Sequence, residues 1–231
     1  SSGDTRVHGL QFDLQWAGPP GTRRVIDRHQ EPMPPLYKDG RLFLLQVETL
    51  LALDAYNGSQ LWEKDIKRVN RSYMGHESGL MCLDGGALYV AAGPKCLVFD
   101  PESGKQMREL DVAAENKDWG YMATCKNVLL GSAQNAEASM RTDAERRDSK
   151  GIMFYQIQSY DGAKAGSKLG PSDSNPTVSD GVFALDKSNN FARLWRYTGV
   201  ILNTSFCATD DRLFFAESRN ARALAHPTGR L

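Results

Sequence analysis

The chain has 231 residues, with 28 Lys and Arg balanced against 28 Asp and Glu. Such a neutral balance lacks the basic footprint that announces most DNA- or RNA-binding proteins, and it gives no global attraction to an anionic membrane. The apolar fraction of 41% suits a folded core rather than disorder, yet no apolar run approaches the roughly 18–20 residues a membrane-crossing helix needs.

The start, Ser1-Ser2-Gly3-Asp4, has neither an initiator Met nor an apolar signal segment, so the chain reads as mature, trimmed or an internal piece. Gln11-Phe12-Asp13-Leu14-Gln15-Trp16 has the pattern of a strand. Arg23-Arg24-Val25-Ile26-Asp27-Arg28-His29 is the one compact basic stretch. It could hold an anion through paired Arg contacts, although Asp27 and the prolines that follow suit a surface loop with local ion pairs.

From position 38 onwards two kinds of hairpin alternate. The first kind opens a strand after a tight turn: Lys38-Asp39-Gly40-Arg41-Leu42-Phe43, Asp84-Gly85-Gly86-Ala87-Leu88-Tyr89, Lys126-Asn127-Val128-Leu129-Leu130 and Asp210-Asp211-Arg212-Leu213-Phe214. In the second kind an apolar strand runs into Asp, a short turn and another strand. Its copies are Leu51 to Trp62, Leu97 to Met107 and Phe183 to Trp195, with Asp54, Asp100 and Asp186 at the turns. Asp accepts bonds from a turn backbone, while Gly or Asn tolerates the positive φ that such a turn requires.

Gly40 and Gly86 lie 46 residues apart, as do Asp54 and Asp100, and Gly86 lies 41 before Asn127. A period of 40–46 with about four short strands per unit predicts β-propeller blades. Asn127 to Asp211 spans 84 residues, about twice the period, so positions 134–180 read as an irregular insertion. Within it, Ala136 to Lys150 suits an exposed helix, Gly151 to Ile157 one further strand, and the Gly- and Pro-rich remainder a loop. Leu53, Phe99 and Leu185 are expected at equivalent buried strand positions. Cys82, Cys96, Cys125 and Cys207 show no CxxC spacing and are expected as small buried hydrophobes, with one disulfide open to them in an oxidising compartment.

Ala52-x-Asp54-x-x-x-Gly58-x-x-x-Trp62 resembles the tryptophan-docking repeat of pyrroloquinoline-quinone (PQQ) type propellers. The second copy has Arg108 where Trp is expected; the third keeps Asp186 and Trp195 but has Asn for Gly. The resemblance covers roughly residues 30–220. It implies an all-β fold of four-stranded antiparallel blades, with 1–231 a single segment of a seven- or eight-bladed propeller. It also implies that Trp62 and Trp195 pack between neighbouring blades, and that the protein is bacterial and periplasmic or extracellular.

In such an architecture the segments leading into the innermost strands line the channel mouth. Alignment on Leu36, Cys82, Ala123 and Cys207 selects Gln30 to Pro32, His76 to Ser78, Lys117 to Trp119 and Ile201 to Asn203. The candidate ligand-binding residues are therefore Arg24, Arg28, His29, His76, Glu77, Asp118, Trp119 and Asn203. Ordinary solvated loops are the simpler reading of the same residues. The four His are scattered, so no metal site is expected, and no GxSxG, P-loop or GxGxxG motif is present.

The expected function is a non-catalytic propeller that binds a protein, peptide or polysaccharide on one face, without nucleic acid or cofactor. Two alternatives stay open, leaving enzymatic activity undecided. One is a quinoprotein alcohol or sugar dehydrogenase carrying PQQ and Ca²⁺, against which stands the lack of a vicinal Cys pair or a recognisable calcium set. The other is a sensor or accessory propeller of a larger enzyme.

Overall fold

The computed structural model describes residues 34–46, 49–66, 79–112, 117–135, 178–209, 212–218 and 226–229. Within these, strands dominate, joined by tight turns and two single 3-10 turns.

The first unit is an antiparallel sheet of β1 (Leu36–Lys38), β2 (Arg41–Gln46), β3 (Thr49–Asp54) and β4 (Gln60–Asp65), in that order. The second repeats it with β5 (Met81–Leu83), β6 (Leu88–Ala92), β7 (Lys95–Phe99) and β8 (Gln106–Asp111). The third comprises β9 (Lys117–Cys125), β10 (Val128–Asn135), β11 (Val178–Asp186) and β12 (Ala192–Leu202). A fourth follows as β13 (Cys207–Ala208), β14 (Leu213–Ser218) and β15 (His226–Gly229).

The third and fourth units are joined into one sheet. Val200 and Ile201 of β12 pair with Ser218 and Glu217 of β14. The reason is length. β12 has 11 residues where β4 and β8 have six each, so its end overshoots and reaches the next unit.

The repeated turns are built alike. Asp54 Oδ1 accepts from the N–H groups of Tyr56 (2.8 Å) and Asn57 (3.1 Å). Asp100 Oδ1 accepts from those of Glu102 and Ser103, both at 2.8 Å, and Asp186 Oδ1 accepts from the Ser188 N–H at 2.9 Å. Positive φ falls at Gly58 (74°), Gly104 (66°) and Asn190 (52°), a conformation that Gly adopts without strain and Asn tolerates. Just before each turn the register slips at the same place: between Ala52 and Leu53, Val98 and Phe99, and Ala184 and Leu185. Leu53, Phe99 and Leu185 are all buried there, in β3, β7 and β11, as expected.

Side chains on β11 alternate between two cores, following the period of two in a strand. Phe183 and Leu185 join the main cluster shared by the first three units, whereas Val182 and Ala184 pack with Ile201, Leu213 and Phe215 towards the fourth.

The insertion is narrower than expected. Gln134 and Asn135 belong to β10 and Val178 to Asp180 to β11, and these strands pair in register from Val128↔Asp186 to Ala133↔Gly181. The helix and strand expected within 136–157 lie outside the described residues, as does Gln11 to Trp16.

Candidate binding groove on the inner strands

The first two units grip the next through their outermost strands. The Trp62 indole N–H donates to the Pro101 carbonyl at 3.2 Å, and its ring lies over Gly104, where an added Cβ would come within 2.7 Å of Trp62 Cδ2. In the second unit Arg108 holds the corresponding place. Val98 pairs with Arg108 as Ala52 pairs with Trp62. Its guanidinium stands 5.2 Å from the Phe191 ring centroid and donates to Asn190 Oδ1, combining a cation–π contact with a hydrogen bond. Asn replaces Gly in that turn, and no indole has to rest on it.

The inner strands β1, β5 and β9 stand side by side. Thr124 Oγ1 donates to the Leu83 carbonyl at 3.3 Å and the Met122 N–H to the Gly79 carbonyl at 2.7 Å. They border an open groove of about 610 Å³, lined by Leu36, Tyr37, Met81, Leu83, Tyr121 and Thr124 among others. Tyr37 is 66% exposed, and Tyr121 stacks on Phe206 with ring centroids 4.7 Å apart.

Charge at the end of the groove centres on Asp84. Its Oδ1 accepts from the Gly86 and Ala87 N–H groups, both at 2.9 Å. Its Oδ2 accepts from Tyr89 Oη at 3.0 Å and Lys187 Nζ at 2.8 Å, while Lys38 Nζ donates to its backbone carbonyl. Burial alone would raise the Asp84 carboxyl, but the bonds from Lys187, Gly86 and Tyr89 prevail and hold it below its usual range. The Tyr89 hydroxyl is pushed up by burial and by the Asp84 charge. Burial also raises the thiols of Cys82 and Cys96, which suits structural roles rather than nucleophilic ones. All four cysteines are free, and the expectation of uniform burial is corrected: Cys125 is half-buried and Cys207 exposed, because the latter sits on the short strand β13.

The structure places three of the candidate residues in its interior. Asp118 and Trp119 belong to β9 rather than to a loop, since Asn135, Gln134 and Ala133 extend the β10 ladder to Lys117, Asp118 and Trp119. Trp119 is fully buried, edge-on to Phe183 at 4.9 Å, in space that a Cβ at Gly131 would invade. Asn203 is buried at the start of a 3-10 turn, Asn203–Ser205. Its Oδ1 lies 2.5 Å from Ser179 Oγ, which in turn lies 2.8 Å from Ser132 Oγ. This knot ties β10, β11 and the turn together, so the loop reading is corrected for Asp118 and Trp119, while Asn203 lies in the connection before β13, buried rather than solvated. Arg24, Arg28, His29, His76 and Glu77 lie outside the described residues. Sequence reasoning missed Tyr37, Asp84 and Tyr121; the one local signal was an aromatic at an exposed position of a short inner strand.

No protein-family description matches the sequence, and no curated protein does. Solved structures do. The WD40 domain of Neurospora crassa Pan2 superposes with a TM-score of 0.50 at 13% identity, covering 86% of this chain and 47% of that one. The chain folds as β-propeller blades. A europium-containing methanol dehydrogenase matches at TM-score 0.44 and 12% identity, over 80% of this chain and 37% of that one. BamB from Moraxella catarrhalis matches at 0.36 and 16%, over 80% and 69%. The chain thus spans about half the length of the Pan2 domain, and the likeness shows the fold without singling out a propeller type.

Proposed function

We propose that this propeller is a non-catalytic binding module that receives an extended peptide segment of a partner protein along the groove of its inner strands. The observation that carries the reading is the groove itself, open, about 610 Å³ in volume and flanked by the exposed Tyr37. Tyr offers a large amphipathic contact at low entropic cost and is enriched among binding hot spots. The polar groups beside it are committed to the fold, Asp84 through four bonds and Thr124 through Leu83, which leaves the aromatic surface to do the recognising.

The residues of the groove do not suit PQQ with Ca²⁺. Calcium takes six to eight oxygen ligands, usually with several carboxylates. Among the described residues the one carboxylate lining the groove is Asp84, already held by Lys187 and Tyr89, and no three metal-ligating side chains cluster. A periplasmic or extracellular setting remains part of the proposal.

Selection of random linear peptides against the purified chain tests the reading, with Tyr37→Ala as the counter-target. Peptides that bind the chain and lose about tenfold affinity on that substitution, roughly 1.4 kcal/mol, are the expected result. Enrichment indifferent to Tyr37, or displacement of every peptide by oligosaccharides, would overturn it. A saturable absorbance change with PQQ that depends on Ca²⁺ would establish the quinoprotein alternative instead.

A further inference from the structure

We infer that the peptide received by the groove carries an acidic side chain that pairs with Lys38 at one end, a few residues from an apolar side chain seated at the other. The inference rests on the peptide-binding reading of the groove and names what the groove selects. The inner strands run the same way: the Met122 N–H bonds to Gly79 and, further along both, Thr124 bonds to Leu83, while Lys38 at the end of β1 reaches Asp84. Their starts gather Pro34, Gly79 and Tyr121 at one end of the groove, and their ends gather Lys38, Asp84 and Thr124 at the other. The first end is apolar and aromatic, with Tyr121 backed by Phe206. From Pro34 to Lys38 the chain takes four steps, roughly 13 Å when extended. Alternate side chains of an extended guest face the same way, so an apolar and an acidic residue about four positions apart span the groove.

Charge names the second anchor. Asp84 and Lys187 satisfy each other, Nζ to Oδ2 at 2.8 Å, and the other Asp84 oxygen is taken by the Gly86 and Ala87 N–H groups. Lys38 is differently placed. Its ammonium donates to a neutral acceptor, the Asp84 carbonyl. Among the described residues the one carboxylate within ion-pair range of it is Asp39, whose Oδ2 stands 4.0 Å away on a side chain 77% exposed. That distance exceeds a hydrogen bond, and water and salt screen a charge so exposed. The Lys38 side chain is itself only 23% exposed, enclosed by the groove yet within reach of a guest. Lys38 also borders a separate cleft of about 200 Å³, where Asp100 and Glu102 stand with Arg41. The groove end thus holds two ammonium groups against one committed carboxylate. An ammonium with N–H groups to spare is best complemented by carboxylate oxygens, through short charge-assisted bonds. Because the groove is open and runs along the strands, the guest passes through it, and the carboxylate belongs to a side chain rather than to a chain terminus.

Degenerate peptides amidated at the C-terminus, each fixed with Leu and with either Glu or Gln at that spacing, test this by fluorescence anisotropy on the full chain. The expected result is a preference for Glu over Gln of about fivefold, declining with added salt. Lys38→Gln should abolish that preference while binding still depends on Leu and on Tyr37. Asp39→Asn should strengthen it by removing the competing carboxylate, at an exposed position whose φ of 47° Asn accepts. This second variant decides the matter where Lys38→Gln fails to fold. Peptides that bind through Tyr37 without distinguishing Glu from Gln would overturn the inference and leave the binding module standing. A preference that survives Lys38→Gln, or is unmoved by Asp39→Asn, would overturn it as well. Binding confined to peptides with a free C-terminal carboxylate would replace the acidic side chain by a chain terminus. Failure of every peptide to bind would overturn the reading of the groove and this inference together.

Discussion

At Gly104 two demands fall on one residue: the turn needs φ 66°, and the Trp62 ring occupies the space of a Cβ. Gly104→Ala should therefore cost more than the roughly 1–2 kcal/mol of left-handed backbone strain alone, adding about 1–3 kcal/mol of overpacking. Urea unfolding measures the sum, and it should shrink in a Trp62→Ala background where only the strain remains. Asp84 carries a different load. Its carboxyl is held below the ordinary range by Lys187, Gly86 and Tyr89 against the opposing effect of burial. A lowered folded-state pKa stabilises above the unfolded value, about 3.9, and that stabilisation is lost as pH falls through the folded value. Asp84→Asn should thus be about 1–3 kcal/mol less stable at pH 7. Its melting temperature should also fall less steeply than that of the unaltered chain below pH 4, and equal slopes would deny Asp84 this part.

Among the elements, the outer strands β4 and β8 solve one problem with different chemistry. Trp62 needs a turn without a side chain, whereas Arg108 reaches the Asn190 amide and the Phe191 ring. Arg108→Trp alone should clash with Asn190 and destabilise, while Arg108→Trp with Asn190→Gly should recover part of the loss. The coupling, read from a double-mutant cycle, should reach about 0.5–3 kcal/mol; simple additivity would show that the two positions do not meet. This pairing explains what was legible in the sequence and what was not. Asp54, Asp100 and Asp186 bond within three residues of themselves, so their turns could be read locally, and the burial of Leu53, Phe99 and Leu185 followed from strand alternation. Arg108 looked like a defect in the repeat because its partner lies 82 residues away. Trp119 looked like a loop residue and Asn203 like a solvated one because the β10 ladder and Ser179 that bury them lie outside their own local segments.

At the scale of the molecule, protection is expected to be graded along the arc. Trp62 is 9% exposed against its neighbour, whereas Trp195, at the equivalent place in the third blade, is 37% exposed. Local opening follows such differences in buried contact. Hydrogen exchange should therefore be faster around Trp195 in β12 than around Trp62 in β4, by a margin larger than that between β3 and β11. Equal exchange at the two tryptophans would mean that the grip between blades adds little to local stability.

Both grips point the same way, from an outer strand to the outer turn of the next unit in the chain. During synthesis from the N-terminus, Trp62 leaves the ribosome 42 residues before Gly104, so each blade emerges with its anchor idle until its successor is nearly complete. The propeller should accordingly assemble with a lag of one blade, the newest always the loosest. A stalled ribosome would hold a chain whose last finished blade still lacks the turn its outer strand was made to grasp.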